Sequence, residues 1–299
     1  MSRILVTGAN GFIGQYIVRR LVKNSLHQVV ATGKSDSRLP FIVSDHYRYV
    51  SIDITDQRQV NKIFESENYD IVIHAAALGQ PDFCEQHQEI CDQVNVTGTK
   101  NIAEGCRKAN SLLVFLSTDF VFDGNRGPYR ETDTVNPINI YGKSKLQGEQ
   151  LIEATGIDHT VVRLCSVYGI PLSGDARNII TWVQHNLQEG RSIKAVDDQV
   201  RTPTYIDDAT KAIVALAERK IQGIFHISGD ESLTPYDMAI ATATCLGLDT
   251  HLVEKVNSAT LKQPARRPLV TGFVIEKAKN AFDFNPRSFT NGLKDIFHR

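Results

Sequence analysis

Short apolar runs recur through the first half of the chain, each followed by a stretch whose apolar residues fall three and four apart. Ile4-Leu5-Val6 ends in a glycine-rich turn, and helical spacing then runs from Phe12 to Lys23. Further runs at Gln28 to Thr32, Tyr47 to Ile52, Ile71 to Ala77, Leu112 to Leu116 and Thr160 to Leu164 predict the second to sixth strands. Helices are expected at 57–67, 84–109 and 139–154. Strands alternating with helices predict βαβ units and an α/β fold built on a doubly wound parallel sheet. The runs are apolar throughout rather than at every second position, so that sheet should be covered on both faces.

The second half is less regular. Pro171, Gly174, Gly190 and Pro203 break the stretch from Gly169 to Thr204 around one helix, at 178–189. Asp208 to Glu218 and Ile224 to Ile227 read as a return to the sheet. A helix at 235–246, a stretch punctuated by Pro264 and Pro268, and a short closing helix follow. The expected organisation is a sheet domain over 1–165, rejoined by 205–228, and a smaller lobe drawn from 166–299.

With 299 residues, 41% of them hydrophobic, the chain can bury a sizeable core. Lys plus Arg (33) nearly balances Asp plus Glu (34), which leaves no global field to attract nucleic acid or an anionic membrane. An anionic ligand must be held locally. No apolar run approaches the roughly 20 residues that span a bilayer, so a soluble chain is expected. Five cysteines without a Cys-x-x-Cys pair, and no signal peptide ahead of them, suit a reducing cytoplasm. Cys84, His87 and Cys91 have spacings that can share a helical face, but a metal site wants four well-placed ligands. Core thiols on an amphipathic helix are the plainer reading, and no metal is expected.

Between the first strand and the first helix lies Thr7-Gly8-Ala9-Asn10-Gly11-Phe12-Ile13-Gly14. Three glycines at such a junction give a tight turn, let the backbone approach a pyrophosphate and allow close packing of helix on sheet, while N–H groups at the helix start hold the phosphates. This is the mark of a Rossmann dinucleotide site, although the spacing is G-x-x-G-x-x-G rather than the commoner G-x-G-x-x-G. Cofactor choice is normally set where the second strand ends. Here Lys34 and Ser35, with Arg38 beyond, replace the usual acid, which suits the 2′-phosphate of NADP. NADPH is the expected cofactor and NAD the alternative. Asp53, after the third strand, is suited to the adenine amine, with Thr55 or Asp56 capping the next helix. Ala75-Ala76-Ala77 offers small side chains where a cofactor presses on the sheet.

Tyr141 and Lys145 stand four apart on one face of the 139–154 helix. A phenol has a pKa near 10, and a neighbouring ammonium lowers it. Such a lysine can also bond ribose hydroxyls. Thr118 falls at the C-terminal end of the fifth strand, the end that borders the ligand crevice of a parallel sheet. Its hydroxyl is suited to orient a substrate oxygen toward Tyr141. The plainer alternatives are a surface Tyr beside a surface Lys, and a Thr that caps a turn.

Through TGANGFIG at 7–14, HAAA at 74–77, Asn95, Thr118 and the Tyr141/Lys145 pair, the chain resembles the extended short-chain dehydrogenase/reductase family. More narrowly it is similar to the dTDP-4-dehydrorhamnose reductase branch. The motifs are STDFVFDG at 117–124, PYRETD at 128–133, PINIYGKSKLQGE at 137–149, RLCSVYG at 163–169, DDQVRTPTY at 197–205, GIFHISG at 223–229 and RRP at 266–268. The same set is similar to the non-catalytic regulatory beta subunit of methionine adenosyltransferase, which shares the fold and binds NADP. The resemblance covers nearly the whole chain. It implies a Rossmann domain with a small C-terminal lobe that closes over a nucleotide-sugar, and an NAD(P)H-dependent reduction of the C4 keto group of a nucleotide-linked 6-deoxy sugar. Tyr141 is then the general acid, Lys145 holds the nicotinamide ribose and Thr118 positions the substrate. The cofactor set becomes Gly8, Asn10, Gly11, Phe12, Ile13, Gly14, Lys34, Ser35, Asp53, Ile54, Ala75, Ala76, Ala77 and Asn95, with Tyr141 and Lys145. The substrate set is Asp119, Ser166, Arg201 and Arg267, the two arginines as diphosphate grips or, alternatively, structural ion pairs.

Two departures bear on substrate identity. Ser166 stands where the rhamnose reductases carry an aromatic residue just after the sixth strand, and the first turn lacks their G-x-x-G-Q-x-G form. Two other activities are weighed. Family dehydratases place Asp-Glu directly after the active-site Thr, and Asp119-Phe120 argues against dehydration while leaving epimerisation open. A cofactor-binding regulator without turnover is the reading from another class. Gln80, Asp82 and Glu85 either line the crevice or begin a solvated helix. A homodimer through the 84–109 and 139–154 helices is expected by analogy.

Overall fold

The computed structural model describes residues 1–24, 26–175 and 177–298. The first half runs β1 (Arg3–Thr7), α1 (Phe12–Asn24), β2 (Gln28–Gly33), β3 (Tyr47–Ser51), α2 (Gln57–Ser66), β4 (Ile71–His74), α3 (Pro81–Gln86), α4 (Gln88–Asp92), α5 (Gly98–Ala109), β5 (Leu112–Thr118), α6 (Ile140–Thr155) and β6 (His159–Leu164). The second half adds β7 (Val167–Tyr168), α7 (Ile179–Gln188), β8 (Ile193–Val196), β9 (Thr204–Tyr205), α8 (Ile206–Glu218), β10 (Gly223–Ile227), α9 (Pro235–Cys245), β11 (Val253–Val256), α10 (Glu276–Phe282) and α11 (Phe289–Phe297).

Seven strands form one sheet in the order β10-β6-β5-β4-β1-β2-β3, every pair parallel. The chain moves outward from β1 to β2 and β3, then restarts on its other side at β4. That reversal opens a crevice beyond the C-terminal ends of β1 and β4, where ligands of such sheets sit. Alternate residues serve opposite faces. Ile4, Val6, Ile71, Ile73, Val114 and Leu116 join one core with Ile17 and Leu21 of α1 and Ala212 and Ile213 of α8. Leu5, Val72, Leu113 and Phe115 join the other with Val60 of α2 and Ile102 of α5. Burial on both faces is why these strands read as unbroken apolar runs.

Three features differ from the sequence expectation. The helix expected over 84–109 starts at Pro81 and is interrupted twice. His87 takes φ −134° and ψ 60°, outside the helical region. Gln93–Thr97 then form a π-turn whose middle residue is Asn95. The Asn95 amide bonds the Leu78 backbone (accepting at 2.8 Å, donating at 3.1 Å) and the Ser144 hydroxyl (2.9 Å), so the bulge aims one polar side chain across to a loop and to α6. Second, β4 ends at His74 rather than Ala77. The Ala75 amide still reaches Thr7 O at 3.2 Å, after which the chain turns away from the sheet. Third, β8 and β11 pair in parallel beside α7 and α9, with a core of Val183, Leu187, Ala195 and Ala239 that local periodicity did not announce. Among the described residues no helix is long and apolar enough to cross a membrane.

Candidate active site

The turn after β1 brings backbone to the crevice. Gly8 has φ +67°, and a Cβ there would lie 2.5 Å from Ala76 N, so only glycine lets the β1 turn and the β4 loop come together. A Cβ on Gly14 would run into the carbonyl of Gly8, which is how α1 packs so close to its own turn. Two openings meet here. One, of about 460 Å³, is lined by Gly11, Phe12, Ile13, Thr118, Tyr141, Lys145 and Ser166 among others. The second, of about 220 Å³, is lined by Gly8, Lys34, Asp53, Ile54 and Ala76. Gly11, Ala75 and Ala77 belong to both, making one elongated groove across the sheet edge. Its length, small-residue floor and N–H-rich turn fit a dinucleotide.

At the far end of the groove the loop around Lys34 is pinned by Asn10. The Asn10 amide donates to Asp36 O and to Tyr49 Oη, both at 2.9 Å, and accepts from Arg38 N at 2.9 Å. Lys34 pairs with Asp53 at 2.9 Å while remaining exposed. Burial works against ionisation of Asp53, yet Lys34 and the Thr55 N–H and hydroxyl hold its carboxyl below the usual range. Asp56, not Thr55, caps α2 by accepting from Arg58 N at 2.9 Å.

At the near end, Thr118 closes β5, opposite Leu164 of β6, and its hydroxyl accepts from Phe120 N at 3.2 Å. Tyr141 is the second residue of α6. Asn139 caps that helix by accepting from Gly142 N at 2.8 Å and is itself anchored to Arg266 O at 2.8 Å. The Tyr141 ring meets Phe120 edge-on, centroids 5.8 Å apart. Packing around the phenol pushes its pKa well up. The Thr118 hydroxyl opposes this, and the Asp119 carboxylate adds to it. Lys145 is 2% exposed, with Nζ 4.0 Å from the centroid of Phe115. Burial pulls its pKa down to about 7, against the pull of Glu149 and Cys91. The Thr118 hydroxyl thus eases ionisation of Tyr141 in addition to the lysine that the sequence pattern suggests for that role.

A family model described as the RmlD substrate binding domain matches residues 1–299. The chain belongs to that family. A dTDP-4-dehydrorhamnose reductase of Aggregatibacter actinomycetemcomitans is 30% identical over 99% of this chain and 98% of its own length. The methionine adenosyltransferase 2 subunit beta of Bos taurus is 32% identical over 84% of this chain and 74% of its own length. A dTDP-4-dehydrorhamnose reductase of Bacillus anthracis, solved in complex with NADP, superposes with a TM-score of 0.85 at 25% identity, covering 99% of each chain.

Other residues singled out in this RmlD-family sequence fall in different places. Ser166 lines the groove with φ +41°, a left-handed conformation for a residue with a Cβ. Asp119 is buried on the groove wall, accepts from Thr271 and stands 3.7 Å from Arg201 Nε; burial pushes its carboxyl pKa up against both partners. Arg201 spends its four remaining donors on Val200 O (2.8 Å), Leu269 O (2.9 Å), Pro268 O (2.7 Å) and Gln199 Oε1 (3.4 Å). Arg267 forks onto Asp82 and donates to Ala265 O at 2.6 Å. Neither guanidinium belongs to the groove lining, and both hold the 265–269 segment. Asn95 stands behind the wall, as described above. Gln80 precedes α3, and Glu85 accepts from Ile140 N at 3.0 Å. Cys84 and Cys91 are buried while the helix break at His87 leaves that ring exposed. No group of three His, Cys, Asp or Glu among the described residues is placed to hold a metal.

Two contributors escaped the sequence reading. Phe120 lines the groove against Tyr141. Glu149 lies one further turn along the 141/145 stripe, so extending the same i, i+4 spacing would have found it. Its carboxylate accepts from Ser117 Oγ at 2.5 Å and from Arg163 at 3.0 and 2.6 Å, a buried network joining α6 to β5 and β6.

Proposed function

We propose that this protein uses NAD(P)H, with NADPH preferred, to reduce the C4 keto group of a nucleotide-linked 6-deoxy sugar. The observation that carries the reading is a phenol kept protonated, beside the Thr118 hydroxyl, at the end of a groove that begins at the glycine turn. When bound, the nicotinamide cofactor supplies the hydride that reaches the carbonyl carbon. Tyr141 gives its proton to the carbonyl oxygen, and Thr118 bonds that oxygen and orients it. An acid in reduction must start in its protonated form, and the packing around Tyr141 favours that form. Lys145 holds the nicotinamide ribose and, while charged, stabilises the phenolate left after transfer. The turn from Gly8 to Gly14 seats the pyrophosphate, Asp53 and Ile54 flank the adenine, and Ala75 to Ala77 form the floor. Lys34, Ser35 and Arg38 receive a 2′-phosphate. Asp119, after β5 of the sheet domain, and Ser166, at the start of a substrate lobe over 166–299, face the sugar.

The test is to follow oxidation of NADPH and NADH with a panel of nucleotide-linked 4-keto sugars, dTDP-4-dehydrorhamnose first. Oxidation of NADPH in preference to NADH is expected, and no oxidation with any member of the panel would sink the reading. A second reading, a cofactor-binding subunit without turnover, draws support from the 32% identity to a methionine adenosyltransferase subunit. It predicts that Tyr141→Phe leaves a partner effect intact. A homodimer through the 81–109 and 140–155 helices is part of the main reading, with Ile90, 47% exposed on α4, in the packed face. Sedimentation at a monomer's mass would remove that part.

A further inference from the structure

Gln15, in the first turn of α1, is 1% exposed. A buried primary amide has two donors and two acceptor positions to satisfy, and here all four are used across two separate parts of the chain. Nε2 donates to Asn10 O at 3.0 Å and to Ser173 O at 2.9 Å. Oε1 accepts from Leu172 N at 2.8 Å and from Ser173 N at 3.0 Å. One end of this clip is the glycine turn. Asn10 also holds the Lys34–Arg38 loop through its side chain, so the turn, the loop and Gln15 share one node. The other end is the segment that leads from β7 into α7. That segment comes back toward the cofactor loop a second time, since a Cβ on Gly174 would lie 3.5 Å from Arg38 Nη1.

We propose that Gln15 is a positioning residue that passes the seating of NADPH on the glycine turn to the 170–173 segment. This rests on the cofactor reading given above. Phosphates held by the turn and by the Lys34–Arg38 loop restrain Asn10 from both sides, and the Gln15 amide hands that restraint to Leu172 and Ser173. Ordering at one site then favours ordering at the other, which is a coupling between cofactor seating and the groove wall that continues from Ser166 and Val167. A neighbouring tether supplies the control. Tyr16 Oη donates to Ile170 O at 2.6 Å and holds the same segment, while its ring packs edge-on against Phe12 with centroids 5.9 Å apart, a contact that Tyr16→Phe keeps.

Hydrogen exchange of the Leu172 and Ser173 amides, measured with and without saturating NADPH, tests this. In the wild type NADPH should slow both, by roughly tenfold within the usual range of such couplings. Gln15→Met should still bind NADPH by fluorescence titration and lose the NADPH-dependent slowing, whereas Tyr16→Phe should exchange faster throughout yet keep it. If Gln15→Met does not fold, Gln15→Glu serves, because its carboxylate keeps the acceptor for the two amides and has no donor for Asn10 O or Ser173 O. Slowing that persists in the Gln15 variant, or no slowing in a wild type that binds NADPH, overturns the inference alone. A wild type that binds no NADPH in the titration overturns the cofactor reading, and this inference with it.

Discussion

Tyr141 and Lys145 sit one helical turn apart and are shifted in ways that divide their labour. The phenol is held protonated by its packing, and the ammonium is brought to the edge of deprotonation, about 7, by burial. Removing the phenol oxygen should therefore abolish proton delivery while sparing the groove. Tyr141→Phe is expected to lower kcat by about 10²–10⁴ with NADPH affinity by fluorescence unchanged. A large loss of affinity would instead place the oxygen in cofactor binding. For Lys145 the sign follows from its charge: below about pH 7 it is an ammonium and above it a neutral amine. The kcat/KM for NADPH should fall as pH rises through that value. Lys145→Arg, which cannot lose its charge in this range, should show a lower activity without the fall.

The elements hold these residues through their ends. Asn139 caps α6 two residues before Tyr141 and reaches Arg266 as well, so Asn139→Ala removes a cap and a tether together. A loss of about 1–2 kcal/mol is expected, read as a lower urea midpoint with an unchanged slope. The seven-stranded sheet was legible because its strands are buried on both faces and punctuated by helix-length spacers. Thr118 was legible because strand ends follow from strand runs. Where the reading stopped, the deciding partner lies far away in the chain. His87 breaks a helix whose apolar spacing runs on unbroken, and Asn95 bulges toward Ser144 of α6. For Arg201 and Arg267 the sequence leaves diphosphate grip and structural ion pair both open, and the partners that decide it, Asp119, Asp82 and the carbonyls of 265–269, come together only once the later chain folds back.

At the scale of the whole molecule, two histidines are locked inside as neutral rings. His74 bridges Thr7 and Thr99, and His226 stacks on Phe273 at 3.9 Å. Burial first, and then the charges of Lys145 and Arg163 respectively, lowers each pKa from 6.5 to about 3. Above pH 6.5 both folded and unfolded chains carry them uncharged, and this stability is fully present. Below it the unfolded chain takes up protons that the folded one refuses. Stability should therefore fall toward pH 3 by up to about 1.4 kcal/mol per pH unit for each ring. His226→Gln should make that acid limb shallower in denaturant titrations, and an unchanged limb would mean the ring titrates normally. The strand order has a different kind of consequence. β10 is the outermost strand beside β6, and α8 helps α1 cover the face that bears Ile4, Val6 and Val114. A nascent chain that has emerged only as far as Leu164 has β1 to β6 ready to pair but one flank half bare. That oily flank stays open to water, to neighbours and to chaperones until residues 206–227, and after them 273–284, leave the ribosome and shut it.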